Sequence, residues 1–156
     1  MKPNRQLLQD VNEARSWRHY KKTKSILAKK LSAEVQVNTM EGRIACRAGD
    51  YLCRGPSGEH WCQKESALLK KYNRIPDADP DAEGWLEFRP KPDAQGVMAV
   101  SMDKDFHVEH PDWGTFNGKA GDFLVKSYED RDVDFPGDIW IVDRAIFEAT
   151  YERCKA

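Results

Sequence analysis

A short segment of this chain occurs twice, and this repetition constrains the fold more than any other feature. Residues 48–54 read AGDYLCR and residues 120–126 read AGDFLVK, so the residue type is kept along the segment. Downstream, the stretch from Trp61 to Tyr72 is matched in the same order by the stretch at 140–151. Self-similarity of this kind predicts a tandem duplication of one small structural unit.

A weaker match extends the repeat upstream, since residues 17–21 read WRHYK and residues 85–89 read WLEFR. The second copy is longer by seven residues between its Gly-Asp and Trp anchors, and the polar stretch 127–137 predicts an exposed loop there. We therefore divide the chain into three segments, expected to pack as one globular body: residues 1–74 (N-terminal helix and first unit, basic), 75–84 (acidic Pro- and Asp-rich linker) and 85–156 (second unit, acidic).

The charge of the chain is balanced overall but not along its length. Residues 1–74 hold 16 Lys+Arg against 7 Asp+Glu, whereas residues 75–156 hold 9 against 19, although the net charge of the whole chain is only -1. Such halves could dock on each other, could pair two molecules head to tail, or could offer a basic face to an anion.

The hydrophobic pattern predicts an α+β fold of two tandem, pseudo-symmetric units, each with short antiparallel strands and a C-terminal helix. An amphipathic helix over residues 5–20 precedes them, because Leu7, Leu8 and Val11 fall on one stripe. The predicted strands are 26–31, 35–39, 51–54, 60–63, 96–101, 106–109, 123–126 and 139–142. The predicted unit helices are 66–72 and 143–151, the second with Asp143 as its N-cap.

Several classes of protein are excluded or disfavoured. No apolar run approaches the roughly 20 residues needed to cross a bilayer, and no apolar stretch of a signal peptide follows Met1, which predicts a cytoplasmic protein with its four cysteines as thiols. The chain has no glycine-rich phosphate loop, no nucleophile elbow and no HExxH zinc motif. These absences favour a non-enzymatic protein without a cofactor.

The repeated Gly-Asp-(Tyr/Phe)-Leu sequence, followed by a hairpin, a Trp and a helix ending in Tyr, resembles the PGDYG-type proteins of phages and bacterial accessory DNA. The resemblance is best over residues 118–152 and extends to the first copy over residues 41–72. Both copies have Ala where the family name has Pro. The resemblance implies a shared fold and an origin in mobile elements, and it implies no reaction.

Asp50 and Asp122 are the clearest candidates for catalysis, since the same Gly-Asp pair precedes the same strand twice. Two symmetric carboxylates could share a proton or hold a cation. The favoured interpretation is structural, because Gly accepts a positive φ and Asp caps backbone amides in turns.

Metal sites are not favoured. Cys46, Cys53 and Cys62 with His60 lack the close Cys pair of a structural zinc site. The positions that match Cys53, Cys62 and His60 in the other copy are apolar, so small buried thiols are expected. The alternating acids at 77–83 lack the Gly and the final Glu of a calcium loop. His107 and His110 are expected to point to different faces.

Two sets of residues are candidates for binding. Arg54 and Lys126 recur as cations at equivalent positions. Trp113 lies in a polar turn that starts at His110, where an exposed aromatic could contact a ligand or partner. The alternative is a Trp packed into its own loop. A basic segment interleaved with aromatics could contact nucleic acid through Arg15, Arg18, Lys21, Lys22 and Lys24.

Three hypotheses follow. The first is a non-enzymatic module that binds a protein partner or a small anionic ligand, as a monomer or a head-to-tail dimer away from membranes. The second is an enzyme acting on a nucleotide or nucleic acid, with Asp50 and Asp122 as acid and base and Arg54 and Lys126 as anion clamps. The third is a nucleic-acid binder that uses the basic segment.

Overall fold

The chain divides into two compact units in a computed structural model that describes residues 4–39, 42–76, 79–110 and 114–154. Unit 1 comprises Met1–Lys22 and Gln95–Ala156, and unit 2 comprises Thr23–Ala94. The helices are α1 (Arg5–Ala14), α2 (Glu65–Lys71) and α3 (Arg144–Thr150), with a 3₁₀ turn at Tyr128–Asp130. The strands are β1 (Arg18–Lys22), β2 (Ile26–Lys30), β3 (Val35–Thr39), β4 (Gly42–Cys46), β5 (Tyr51–Arg54), β6 (His60–Gln63), β7 (Tyr72–Arg74), β8 (Leu86–Pro90), β9 (Val97–Ser101), β10 (Phe106–His110), β11 (Gly114–Gly118), β12 (Phe123–Ser127), β13 (Ile139–Val142) and β14 (Tyr151–Arg153).

Unit 1 is an antiparallel sheet with a core on each face. Its strand order is β13-β12-β9-β1-β14, and β10 and β11 form a separate hairpin. Because side chains alternate along a strand, Leu124 packs with Leu8 and Val11 of α1 on one face, whereas Val125 packs with Phe147 of α3 on the other.

Unit 2 has the same arrangement of strands. Its sheet has the order β6-β5-β2-β8-β7, and β3 and β4 form the separate hairpin. Leu68 of α2 packs on one face against Ile26, Cys53 and Phe88. A helix therefore covers this face as α3 does in unit 1.

Each sheet contains one strand from the opposite half of the chain. β1 pairs with β9 and β14 in unit 1, and β8 pairs with β2 and β7 in unit 2. The compact units thus differ from the chain halves 1–74 and 85–156, since residues up to Lys22 belong with the second half and β8 belongs with the first.

This exchange removes the charge contrast seen along the chain. Unit 1 carries 13 Lys+Arg against 15 Asp+Glu, and unit 2 carries 12 against 11, so their net charges are -2 and +1. The basic N-terminus joins the acidic second half, and the acidic linker joins the basic first half. Neither unit is a strongly basic or acidic body.

The α+β class and most predicted elements are confirmed. The predicted bounds of β3, β5, β6 and β13 are those of the structure, and Asp143 caps α3 by accepting a hydrogen bond from the Ile146 amide. The helix predicted over 5–20 ends at Ala14, because Arg15 adopts a left-handed conformation and the next residues pair as β1. The unit helices are not C-terminal either, since the short strands β7 and β14 follow α2 and α3.

The prediction that all cysteines are thiols is wrong for Cys46 and Cys62, which form a disulfide with their Cα atoms 6.0 Å apart. This bond ties the β3–β4 hairpin to strand β6. Sequence spacing does not reveal such a pairing, because a partner is chosen by the fold. Cys53 and Cys154 take no part in a disulfide bond. Among the described residues, no helix is long and apolar enough to cross a membrane.

Candidate functional site

The two Gly-Asp turns have the same backbone conformation and share one side-chain hydrogen bond. Gly49 and Gly121 have φ of 91° and 96°, which is the left-handed region that glycine adopts readily. The carboxylate of Asp50 accepts the Arg47 amide at 2.9 Å, and the carboxylate of Asp122 accepts the Lys119 amide at 2.9 Å. Both carboxylates are buried and accept a backbone amide of their own turn, and Asp122 also accepts the Arg144 amide at 3.1 Å.

These carboxylates do not meet the cations proposed to work with them. Asp50 precedes β5 and Arg54 ends it, while Asp122 precedes β12 and Lys126 lies near its end. Four residues of strand separate the members of each pair by about 13 Å along the strand. Within a unit, the geometry therefore does not assemble the acid, base and anion clamp of the enzyme hypothesis.

Lys126 is held over an indole ring in unit 1. Its ammonium nitrogen lies 4.6 Å from the centroid of the Trp17 ring, within the range of a cation–π interaction. The same nitrogen donates a hydrogen bond to the Val133 carbonyl at 3.1 Å. The side chain stands on the face of the sheet that α1 covers, and Lys126 is only 1% exposed.

The loop predicted as an insertion closes over this lysine. Val133 and Asp134 belong to it, and Asn12 of α1 holds it by donating to the Asp134 carbonyl at 2.8 Å. Asn12 also accepts the indole N–H of Trp17 at 2.9 Å, which fixes the ring beneath the ammonium. Burial lowers the pKa of Lys126, and the nearby Asp130, Asp134 and Asp132 oppose that shift.

A cavity of about 280 Å³ opens beside the ammonium. Three of its six lining residues are cationic, and they come from the end of α1, from β12 and from the loop that follows β12. The lining is Asn12, Arg15, Trp17, Lys126, Arg131 and Asp134.

Unit 2 has a corresponding pair of a cation and an indole. Arg54, whose strand position corresponds to that of Lys126, lies 4.7 Å from the ring centroid of Trp85, and Lys29 lies 4.6 Å from the same ring. His60 is the neighbour of Arg54 across the β5–β6 pair. Burial, together with the positive charges of Arg54 and Lys29, lowers the pKa of His60, and Glu59 opposes the shift.

The other predicted binding residues do not join either arrangement. His110 pairs with Asp138 at 2.8 Å and lies outside the lining of the cavity, and Trp113 lies outside the described residues. Position 77, the first acid of the supposed calcium loop, also lies outside them. In the described part of the chain, no three His, Cys, Asp or Glu side chains converge as a metal site would require.

Within unit 1, the proposed nucleic-acid residues do not share one face of the sheet. Arg18 donates to the carbonyls of Arg15 and Trp17 and so closes the turn after α1. Lys21 and Lys22 are consecutive strand residues and therefore point to opposite faces of the sheet. Lys24 belongs to unit 2.

Sequence reasoning missed the two tryptophans and Arg131 as members of these sites. The weak match between residues 17–21 and 85–89 was the available signal, since Trp17 and Trp85 hold equivalent positions beside a repeated cation. Nothing comparable marks Arg131, because the polar stretch 127–137 that carries it has no matching segment elsewhere in the sequence.

Comparison with known proteins identifies one family. The model of the family described as PGDYG protein matches residues 42–152, which is more than two thirds of the chain and includes both Gly-Asp turns. No curated protein and no solved structure matches this chain significantly.

Proposed function

The chain belongs to the PGDYG protein family, and we propose that it is a non-enzymatic binding module whose Lys126 cavity holds a small anionic ligand. The ligand would carry a carboxylate or a phosphate group. A cavity of about 280 Å³ lies at the small end of the range for ligand sites and suits a compact molecule.

The observation that carries this proposal is the state of the Lys126 ammonium. An ammonium group has three N–H donors, and the described residues supply one hydrogen-bond acceptor for it, the Val133 carbonyl. Burying a charge without full compensation costs free energy. An anion in the adjoining cavity would accept hydrogen bonds from the remaining N–H groups. Part of the free energy lost by burying the ammonium would then be regained when the anion binds.

The charges around the cavity support an anion over a cation. Arg15 and Arg131 line it together with Lys126, against the single carboxylate of Asp134. Arginine can bind a carboxylate or phosphate through two parallel hydrogen bonds. In this proposal Arg131 orients the bound anion, and Lys126 supplies a buried positive charge.

The repetition of the cation–indole pair also leads us to infer that the chain is a tandem duplication whose copies have exchanged one strand. Trp17 and Trp85 precede the exchanged strands β1 and β8, and each carries a cation from the strand after the Gly-Asp turn. In this interpretation the two copies keep the same cation–indole pair, and the longer loop of the second copy adds the cavity beside it.

The other sequence hypotheses receive less support. The carboxylates of Asp50 and Asp122 bind backbone amides, and the near-neutral charge of each unit does not favour a nucleic-acid surface. The phage-associated origin and the cytoplasmic location stay predictions. The Cys46–Cys62 bond counts against a reducing compartment, where disulfides are uncommon.

Calorimetric titration with inorganic phosphate and with citrate tests the proposal. We expect one of these anions to bind one site per chain, and Lys126→Met, which keeps the length and apolar part of the side chain, to weaken that binding by about tenfold or more. Lys104→Met is the matched control, because Lys104 is an exposed lysine of the same unit. Absence of binding by both anions at about 10 mM, or equal binding by Lys126→Met, would overturn the proposal.

A further inference from the structure

The amine of Lys126 is a buried nucleophile. Lys126 is only 1% exposed and forms no ion pair with a described carboxylate. Because the rest of the molecule covers the side chain, the cavity that it lines is the side from which a small molecule reaches the amine. Burial lowers the pKa of Lys126, so its neutral amine is more populated than that of an exposed lysine. A neutral lysine amine attacks carbonyl carbons and forms imines.

The hydrogen-bonding environment of the Lys126 nitrogen matches a protonated imine better than an ammonium. The described residues supply one acceptor for this nitrogen, the Val133 carbonyl at 3.1 Å. An ammonium has three N–H donors, whereas the nitrogen of a protonated imine keeps one. The protonated imine is also a cation, so it keeps the contact with the Trp17 ring, whose centroid lies 4.6 Å from the nitrogen. Imine formation therefore leaves this nitrogen with one donor for one acceptor.

The charges around the cavity form two sets that suit the two ends of an α-keto acid. Asp134 lines the cavity, and its negative charge, together with that of Asp130, favours a positive nitrogen at Lys126. Arg15 and Arg131 line the same cavity, and arginine binds carboxylates through parallel hydrogen bonds. A molecule that fits both sets carries a carbonyl carbon next to a carboxylate. A cavity of about 280 Å³ suits a compact acid of this kind.

We propose that Lys126 binds a small α-keto acid covalently, as a reversible imine, while Arg15 and Arg131 hold the carboxylate of the acid. This inference rests on the proposed function, because the acid must first occupy the cavity as an anion. The ammonium gives one proton to the Asp134 carboxylate, and the neutral amine attacks the carbonyl carbon. A second N–H proton moves to the carbonyl oxygen, and the resulting hydroxyl takes the first proton back from Asp134 and leaves as water. The products are a protonated imine with one N–H and one water molecule, so atoms and charge balance.

Unit 2 provides an internal comparison. Arg54 stands at the strand position that corresponds to Lys126, and a guanidinium keeps its proton, so it has no neutral amine to attack a carbonyl. Lys29 lies 4.6 Å from the centroid of the Trp85 ring, which is the distance that separates Lys126 from its own indole. Lys29 is partly exposed and lies outside the lining of the cavity. It therefore separates the effect of the indole contact from the effect of the cavity.

The experiment traps the imine in the full chain. The protein is incubated with pyruvate and sodium cyanoborohydride, which reduces protonated imines to stable amines, and peptide mass spectrometry follows the adduct at each lysine. We expect the adduct at Lys126 to form at least about tenfold faster than those at Lys29 and at the exposed Lys104, because the cavity holds the carbonyl against the amine. Slow labelling of Lys104 shows that the reagent is active. Acetone, a ketone of similar size without a carboxylate, should show no preference for Lys126.

Variants assign the roles of the side chains. Lys126→Arg keeps the positive charge without an amine, so it should still bind phosphate in calorimetry and should lose the fast phase of trapping. Arg131→Gln should slow trapping of pyruvate at Lys126 by about tenfold and leave trapping of acetone unchanged. Arg153→Gln is the matched control, because Arg153 is an exposed arginine of the same unit, and it should trap pyruvate like the wild type.

Three results would overturn this inference. They are trapping of pyruvate at Lys126 no faster than at Lys29, an equal preference of acetone for Lys126, and an unchanged trapping rate in Arg131→Gln. Each of them leaves the small-anion proposal standing if phosphate or citrate still binds to the wild type and not to Lys126→Met. If neither anion binds and pyruvate is not trapped, both proposals are wrong.

Discussion

Replacing the two repeated aspartates by alanine separates their structural role from a chemical one. The Asp122 carboxylate accepts two backbone amides, from Lys119 at 2.9 Å and from Arg144 at 3.1 Å, and so links the turn to the first residue of α3. The Asp50 carboxylate accepts one, from Arg47 at 2.9 Å. Both groups are buried, so the amides left behind by either substitution would lie in a poorly solvated place.

A hydrogen bond to a charged group contributes about 1.5–3 kcal/mol to stability. Asp122→Ala removes two and should lower the free energy of unfolding of unit 1 by about 3–6 kcal/mol, while Asp50→Ala removes one and should lower that of unit 2 by about 1.5–3 kcal/mol. Asp122→Asn keeps one carbonyl oxygen as an acceptor and should cost less than Asp122→Ala.

Urea unfolding followed by circular dichroism measures these differences, and hydrogen exchange resolved by peptide shows which unit is affected. Asp122→Ala should speed exchange in β12 and α3, whereas Asp50→Ala should speed exchange in β5. The reasoning is refuted if Asp122→Ala unfolds within about 0.5 kcal/mol of the wild type, or if Asp50→Ala is the more costly change.

Three further outcomes are expected. Cutting the chain at a protease site inserted between residues 79 and 80 should leave the fragments associated on gel filtration, since β1 and β8 belong to the sheets of opposite halves; separation of the native fragments would contradict the strand pairing. Reducing the Cys46–Cys62 bond, which spans 16 residues, should lower the stability of unit 2 by about 3 kcal/mol and speed exchange in β3 and β4, and an unchanged exchange pattern would count against this. Burial lowers the pKa of Lys126 below its ordinary 10.5, so the unfolded chain holds that proton more tightly than the folded chain does. The resulting loss of stability is full below the folded pKa and fades as the pH rises to 10.5, so the wild type should gain stability relative to Lys126→Met over that window. Parallel pH profiles of stability for the two proteins would contradict this.

The elements that depend on local pattern were predictable. Strand β13 is a short, continuous run of large apolar residues that follows a polar loop, and α3 begins after the capping residue Asp143, so neighbours in sequence determine both. The Gly-Asp turns were predictable for the same reason, because the positive φ of glycine and the short acceptor of aspartate act within four residues.

The strand exchange was not predictable, because it depends on partners far away in the sequence. The residues of β1 follow directly on an amphipathic helix and extend its polar pattern, and their pairing with β9 joins positions about eighty residues apart. The pairing of Cys46 with Cys62 is fixed in the same way by the approach of a hairpin to a strand.

Only part of the candidate site could be predicted from the sequence. Lys126 was identified from its recurrence beside the Gly-Asp turn, yet its burial was not, since lysine is among the residues that are almost never fully buried. The cover comes from the polar loop at 127–137 and from Asn12 on α1, which no pattern in the sequence connects.

The most direct test of the account is the ¹⁵N NMR signal of the Lys126 side chain during titration with inorganic phosphate. The account predicts a slowly exchanging ammonium signal, because the group is buried and bonded to Val133, and a saturable shift of that signal as phosphate enters the cavity. An ammonium signal of Lys126 that stays unchanged up to about 10 mM phosphate would contradict the account, and so would a shift no larger than that of the exposed lysines.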